Sequence, residues 1–265
     1  MNPYQRWLDA ALEASQAAAA TVRQRWRGHH TVEQKGFRDI VTEADLESER
    51  IIVEHLHSVF PSHRVMAEEQ SDASPSDGVQ WLVDPLDGTT NFSRDNPNFS
   101  IAIAAVKDRI PVVGIVCDPL RTMTFAALLG GGATLNGEPI RTSGREALRD
   151  TVVGFDSPRD PARRRQMLAH LGALYPRIRT VRALGSAALN MVYVAAGWTD
   201  AYFSLHMWPW DQTASALIVK EAGGVVTTVS GRTWTPFEPD PMMAATPALM
   251  TALRDTFRGD PNADG

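Results

Sequence analysis

The chain has 265 residues, a formal net charge of −5 and a hydrophobic fraction of 43%. Its length fits one large domain or two small ones, and its apolar content suffices for a substantial core. The negative charge disfavours a general nucleic-acid-binding protein. The single cysteine, Cys117, excludes an intrachain disulfide and is typical of a reducing compartment.

The first residues do not resemble a secretion signal, because Asp9 and Glu13 interrupt the apolar positions and no cleavage site follows a basic start. No stretch approaches the length of a membrane span. We therefore expect a soluble cytoplasmic protein that does not engage a membrane.

The apolar periodicity of the first part predicts two helices. The first covers about residues 3–27, and the second starts at Thr42, carries Asp45 in its first turn and is followed by Pro61. Around them we expect an exposed turn at 35–39, a short strand at 64–67 and a loop at 71–78.

The most informative segment, residues 81–92, reads Trp-Leu-Val-Asp-Pro-Leu-Asp-Gly-Thr-Thr-Asn-Phe. An apolar strand ends in Asp84 and Asp87, and Pro85 between them stops the strand and stiffens the turn. The two carboxylates can then converge on one point beyond the strand end.

The residues after this acidic pair favour the binding of an anion. Gly88 lets the backbone approach a ligand closely, and Thr89 with Thr90 opens a helix whose free N–H groups face the same point. Carboxylates beside such a helix start indicate divalent cations placed between them and a phosphate.

Strand-like runs follow at 99–106, 111–117 and 122–129, and their short connections predict antiparallel pairing. Asn136-Gly137 is typical of a tight hairpin turn. The chain becomes polar around 142–150, so we place a boundary there, between an N-terminal α+β half (1–145) and a C-terminal α/β half (146–265).

The second half alternates between the two element types, which predicts α/β layering. The predicted elements are strand 151–155, helix 160–173, strand 178–182, helix 186–197, strand 200–204, helix 210–222 and strand 224–229.

Four segments supply acidic groups that can meet: Asp45, Glu68, Asp84 with Asp87, and Asp211. Taken singly, most have simpler explanations, such as first-turn acids favoured by the helix dipole or a solvated acidic pair. Taken together with the 81–92 segment, they indicate a site for several cations.

These motifs, in this order, resemble the inositol monophosphatase family of lithium-sensitive, magnesium-dependent phosphatases, over roughly residues 5–250. The segments that carry the resemblance are 39–45, 67–69, 81–92, 130–137, 185–191 and 210–224. The resemblance implies a layered αβαβα sandwich of the sugar-phosphatase type and a homodimer.

The resemblance also implies two to three Mg²⁺ ions. The first would be held by Glu68, Asp84 and the carbonyl of Leu86, and the second by Asp84, Asp87 and Asp211, so that Asp84 bridges. A third, weaker ion would lie near Glu68.

By the same resemblance, Thr89 and Asp45 form a catalytic dyad that orients and deprotonates the attacking water, with Glu68 assisting. The backbone N–H groups of Gly88 and Thr89 would hold the phosphate, with Thr90 beside them.

The substrate side depends on fewer residues. Gly185, Ser186 and Ala187 resemble a segment that contacts the alcohol part of the substrate, although Ser186 also suits a helix cap. Asp211 would contribute to substrate binding as well as to the second ion. Ser204 stands where inositol phosphatases often carry an acidic residue, and this departure leaves inositol specificity open.

The implied activity is Mg²⁺-dependent hydrolysis of a phosphate monoester, inositol 1-phosphate by family default. Histidinol phosphate, fructose 1,6-bisphosphate and 3′-phosphoadenosine 5′-phosphate stay open as alternative substrates. An alternative of another class is a protein partner of the transcription machinery, as for some bacterial SuhB-type relatives, without direct nucleic-acid binding.

Overall fold

The computed structural model describes residues 2–28, 31–36, 39–69 and 78–258. The α-helices are α1 (Gln5–Arg25), α2 (Glu43–Val59), α3 (Thr89–Phe92), α4 (Pro161–Leu174), α5 (Ala187–Ala195), α6 (Pro209–Glu221) and α7 (Pro247–Arg258). The strands are β1 (Val32–Gly36), β2 (Asp39–Thr42), β3 (Arg64–Ala67), β4 (Val79–Asp87), β5 (Ser100–Lys107), β6 (Ile110–Asp118), β7 (Met123–Leu128), β8 (Gly132–Leu135), β9 (Glu138–Pro139), β10 (Val152–Phe155), β11 (Thr180–Arg182), β12 (Ala201–Phe203), β13 (Val225–Thr228) and β14 (Pro241–Ala244).

The elements stack in five layers, and each face of the two main sheets is covered by helices. Helices α1 and α2 pack on one face of a seven-stranded sheet, and α5 and α6 lie between that sheet and a five-stranded one. Helices α4 and α7 cover the outer face of the second sheet. The predicted αβαβα sandwich is confirmed.

The seven-stranded sheet has the order β3-β4-β5-β6-β7-β8-β9. Only β3 and β4 run parallel; the pairs from β4 to β9 are antiparallel, as the short connections predicted. The predicted hairpin turn joins β8 to β9, with φ of +50° at Asn136 and +85° at Gly137.

The five-stranded sheet has the order β11-β10-β12-β14-β13. Strand β10 is parallel to both β11 and β12, so the carboxyl ends of β10 and β12 lie at the same edge. This parallel core with helices on both faces is the α/β layering that the alternation predicted.

The second helix begins as predicted. Thr42 is its N-cap, and the Asp45 side chain accepts from the Thr42 backbone N–H at 2.9 Å, forming a capping box. The long first helix is shorter than the predicted 3–27 span, because the backbone leaves helical geometry at Trp26 and Arg27 takes a φ of +61°.

One prediction was wrong at its start. Residues 35 and 36 belong to β1, which pairs with β2, and are not part of a turn. Strand β1 is exposed along its length, so its sequence carries no alternation of apolar and polar residues. Residues 37 and 38 and the 71–77 part of the predicted loop lie outside the described residues.

Strand β14 and helix α7 lie beyond the last element that the sequence analysis predicted. The two sheets lie on either side of residue 145, but helix α6 of the second half packs on strands of the first sheet, and one core cluster draws residues from both sheets. No helix among the described residues has the length and apolar character that crossing a membrane requires.

Candidate active site

A cavity of about 610 Å³ opens where residues of both halves meet. Most of the predicted site residues line it: Glu68, Asp84, Leu86, Asp87, Gly88, Thr89, Thr90, Gly185, Ala187, Ser204 and Asp211. Asp45 and Ser186 are fully buried behind this lining and hydrogen-bond to residues that form it. His206 also lines the cavity.

The end of β4 presents the first two carboxylates. The pairing of β4 with β5 shifts its register between Asp84 and Asp87, where Pro85 interrupts the regular ladder. The backbone N–H of Leu86 donates to Asp84 Oδ1 at 3.0 Å, and Ser48 on α2 donates to the Pro85 carbonyl at 2.8 Å. These contacts fix the turn and aim both carboxylates at the cavity.

Gly88 follows this turn with a φ of +100°, a conformation that favours glycine. A Cβ there would lie 3.0 Å from the carbonyl oxygens of Asn98 and Gly185. Glycine therefore lets the backbone before α3 fit between two other segments at the cavity wall.

Thr89, the first residue of α3, points back to α2. Its Oγ1 lies 2.8 Å from Asp45 Oδ1 and 3.1 Å from the Leu86 carbonyl. The other Asp45 oxygen accepts from the backbone N–H and the hydroxyl of Thr42. Burial raises the pKa of Asp45 to about 6, although the hydrogen bonds from Thr42 and Thr89 oppose that rise.

Asp87 connects the turn to helix α5. Its Oδ2 accepts from the Ser186 hydroxyl at 2.5 Å and from the Ala188 N–H at 2.8 Å, and its Oδ1 accepts from the Ala187 N–H at 3.1 Å. Ser186 is the N-cap of α5 and also accepts from the Leu189 N–H at 3.3 Å. Ser186 therefore caps α5 as the sequence suggested. It also contacts Asp87, which the sequence did not suggest.

Asp211 lies in the first turn of α6, where its Oδ2 accepts from the Trp208 N–H at 2.8 Å. Asp211 therefore occupies the first-turn position that the sequence predicted for it. Its side chain also lines the cavity, and the wall beside it includes Trp208, whose indole stacks on Trp210 with ring centroids 5.4 Å apart.

The carboxylates at this cavity carry poorly compensated negative charge. Burial raises the pKa of Glu68 to about 7 and the pKa values of Asp84, Asp87 and Asp211 above their ordinary range. Repulsion adds to this effect, because the charges of Glu68, Asp87 and Asp211 each raise the pKa of Asp84 further.

A lysine lies beside Glu68 and Glu69. Lys35 Nζ on β1 is 2.6 Å from Glu69 Oε1 and 3.3 Å from Glu68 Oε1. The Glu69 N–H in turn donates at 2.8 Å to Glu49, a fully buried residue of α2. Glu68 and Glu69 are therefore not the solvated pair that the two residues alone would indicate.

The donor set fits Mg²⁺ in its chemistry, because carboxylate and carbonyl oxygens are the ligands that a hard cation takes, and added positive charge would relieve their repulsion. Within the described part of the chain, no three Asp, Glu, His or Cys side chains already stand in the arrangement of an ion site. The assignment of particular ligands to ions stays a prediction.

Sequence reasoning missed Asp156, Arg159, Arg164 and Tyr202, which also line the cavity. The available signal was positional: Asp156 directly follows the predicted strand 151–155, and side chains at the carboxyl ends of parallel strands commonly form binding sites.

The fold and the cavity together define a layered α/β sandwich protein with an acidic site between its halves. The sequence model of the inositol monophosphatase family matches residues 4–259. The chain therefore belongs to the inositol monophosphatase family, a family of phosphatases, and the resemblance found in its motifs is confirmed.

Two relatives and one solved structure describe the likeness. Inositol monophosphatase 2 of Solanum lycopersicum is 37% identical over 86% of this chain and 89% of its own. Nus factor SuhB of Escherichia coli K12 is 36% identical over 84% of this chain and 85% of its own. The structure of an IMPase from Thermotoga maritima matches with a TM-score of 0.87 and 34% identity, covering 95% of this chain and 96% of that one.

Proposed function

We propose that this protein is a Mg²⁺-dependent phosphomonoesterase that hydrolyses inositol 1-phosphate to myo-inositol and phosphate. One observation carries the proposal: a threonine hydroxyl backed by a buried carboxylate faces a cavity lined by five further carboxylates. Membership of a phosphatase family supports the reaction type, and the plant relative's name supports the substrate.

The residues that would hold the ions are Glu68, Asp84, Asp87, Asp211 and the carbonyl of Leu86. Bound Mg²⁺ supplies positive charge that polarises the phosphate oxygens and stabilises the leaving alkoxide. Asp87 already accepts several hydrogen bonds from the start of α5. It would therefore both bind an ion and position that helix.

Thr89 and Asp45 would act on the attacking water. A hydroxyl has one proton to donate and two lone pairs to accept with. If Thr89 donates to Asp45 at 2.8 Å, its lone pairs are free to accept from a water in the cavity. Asp45 can then receive the proton that this pair removes from the water, since its contacts with Thr42 hold it in place.

The start of α3 would bind the phosphate. The first N–H groups of a helix have no partner within that helix, and Gly88 and Thr89 line the cavity together with the carboxylates. We expect them, with Thr90, to donate to the phosphate oxygens while Gly185 and Ala187 border the alcohol part.

The test is a phosphate-release screen over inositol, sugar, histidinol and nucleotide phosphates, with Mg²⁺ and with EDTA. The proposal predicts release from inositol 1-phosphate that EDTA abolishes and Mg²⁺ restores. Phosphate release that continues undiminished in EDTA would contradict the ion-dependent mechanism. Faster release from another ester than from inositol 1-phosphate would show that the proposed substrate is wrong.

The likeness to the Escherichia coli Nus factor SuhB favours a second candidate function, as a partner of transcription proteins. The net charge of −5 suits a basic protein surface better than nucleic acid. Replacing Asp87 by Asn in the host separates the two: a phenotype of gene loss that this variant rescues without hydrolysis would show that hydrolysis is not the whole function.

A further inference from the structure

Asp156 and Ser204 are neighbours at one edge of the five-stranded sheet. Strands β10 and β12 run parallel with Phe155 beside Phe203, so the next residue of each strand, Asp156 and Ser204, leaves the sheet at the same edge. Both line the cavity that contains the carboxylate cluster. The Asp156 carboxylate therefore lies at the end of the strand next to β12, and the residue that follows β12, Ser204, carries only a short hydroxyl.

Two buried side chains hold the Asp156 carboxylate. The Tyr202 hydroxyl donates to its Oδ2 at 3.0 Å, and the Asn190 amide donates to Oδ2 at 3.1 Å and to Oδ1 at 3.4 Å. Tyr202 and Asn190 are both 0% exposed. Because rigid core residues fix the carboxylate, its orientation in the cavity is built into the fold.

The backbone of β10 makes room for these donors. A Cβ at Gly154 would lie 3.1 Å from Asn190 Oδ1 and 3.3 Å from a ring carbon of Tyr202. The absence of a side chain at this position lets α5 and β12 approach closely enough for both donors to reach Asp156.

The Asp156 carboxylate has acceptor capacity left for a ligand. An ionised carboxylate offers about four acceptor positions, and besides Tyr202 and Asn190 it interacts with the Gly185 backbone. Burial and the charge of Asp87 raise the pKa of Asp156 to about 7, so the carboxylate is ionised above that pH. The two Asn190 contacts come from one amide nitrogen that lies across both oxygens, so three donor atoms serve the carboxylate and one acceptor position is left. Asp156 lines the cavity, where a hydroxyl of a bound ligand can donate to that position.

We propose that Asp156 is a specificity-determining residue that accepts a hydrogen bond from a hydroxyl on the alcohol part of the substrate. The preferred substrates would then be phosphate esters of polyhydroxylated alcohols, such as cyclic polyols and sugars. This inference rests on the proposed phosphatase function.

A cationic group such as an ammonium would also suit a carboxylate, but its surroundings favour a neutral donor. Arg159 and Arg164 line the same cavity. Burial lowers the pKa of the cavity-lining His206, and the charges of Arg163 and Arg159 lower it further, so the part of the wall around His206 disfavours an added positive charge.

The test compares Asp156→Asn with the wild-type enzyme on inositol 1-phosphate, histidinol phosphate and p-nitrophenyl phosphate, whose alcohol part has no further hydroxyl. Losing a hydrogen bond to a charged group predicts that the kcat/KM ratio of inositol 1-phosphate to p-nitrophenyl phosphate falls about 10- to 100-fold. An unchanged ratio would overturn the proposal, and so would a loss concentrated on histidinol phosphate, which would indicate recognition of a cation.

Tyr202→Phe provides a second measurement if Asp156→Asn does not fold. It removes one donor that orients Asp156 and keeps the carboxylate, so the same ratio should fall by a smaller factor, roughly threefold to tenfold. No fall in the ratio would overturn the proposal. A wild-type enzyme that hydrolyses none of the three esters would instead refute the proposed function, and this inference with it.

Discussion

The Thr89 hydroxyl lies 2.8 Å from Oδ1 of Asp45, and Asp45 is 0% exposed. The two residues are 44 positions apart and come from different elements, α3 and α2, so the fold itself assembles this pair. A carboxylate in that position can take up a proton through the hydroxyl without competing contact with bulk water.

Removing the proton acceptor should therefore reduce turnover. Asp45→Asn keeps the size of the side chain and part of its hydrogen bonding, and we expect kcat for inositol 1-phosphate to fall by about 10²- to 10⁴-fold. Thr89→Ser, which keeps the hydroxyl, is the matched control and should lose less than about tenfold. Steady-state phosphate release measures both, and near wild-type turnover in Asp45→Asn would contradict a role in proton transfer.

The same pair predicts a pH dependence. Burial raises the pKa of Asp45 to about 6, and only the ionised form can accept a proton. Log kcat/KM should rise with pH and level off above an apparent pKa near or below this value, since bound cations favour ionisation. A rate that stays flat through the acid range would show that no such group limits the reaction.

Glu49 should make the metal-free protein less stable at higher pH. Burial raises its pKa to about 7 from an ordinary 4.5, so the native state binds this proton more tightly than the unfolded state does. The stability that protonated Glu49 contributes is fully present below pH 4.5 and decreases as the pH rises. Above pH 7 this contribution is lost, because Glu49 is then ionised in both states and its burial costs free energy in the folded state.

Glu49→Gln should remove the Glu49 part of this pH dependence and raise the free energy of unfolding above pH 7 by up to about 3 kcal/mol, with little effect at low pH. Urea unfolding at acid and neutral pH measures the difference. Glu54→Gln on the exposed side of the same helix is the control. If both variants keep the wild-type pH dependence, Glu49 does not ionise at a cost in the folded protein.

Gly88→Ala should damage both stability and activity. A methyl group at this positive φ would lie 3.0 Å from two carbonyl oxygens, so we expect a loss of about 1–3 kcal/mol in the free energy of unfolding and a larger drop in kcat/KM. Gly144→Ala, also at positive φ but with nothing within 4 Å of the added carbon, should cost less and leave kcat/KM nearly unchanged. Equal effects of the two changes would refute the close packing.

The layered fold and most residues of the cavity could be predicted from the sequence, because the patterns that indicate them involve residues close together in the chain. The alternation of apolar residues, the Asp-Pro-Leu-Asp turn and the Thr42 cap each depend on neighbours in the chain. Each predicted helix and strand that lies in the described residues is present, with ends shifted by a few residues, whereas part of the turn predicted at 35–39 is strand.

Other features depend on contacts that the sequence does not display. Asp156 and Ser204 meet only through the register of β10 with β12, and Ser186 reaches Asp87 across 99 positions of sequence. The exposed strand β1 has no apolar alternation, and it forms because β2 pairs with it.

The most direct test of the proposed function is phosphate release from inositol 1-phosphate as Mg²⁺ is added to chelator-treated protein, for the wild type and for Asp84→Asn. We predict that the wild-type rate rises from near zero to saturation. Asp84→Asn, which lacks the carboxylate predicted to bridge two ions, should stay at least about 100-fold lower at every Mg²⁺ concentration. A wild-type rate independent of Mg²⁺, or equal rates for the two proteins, would contradict the account.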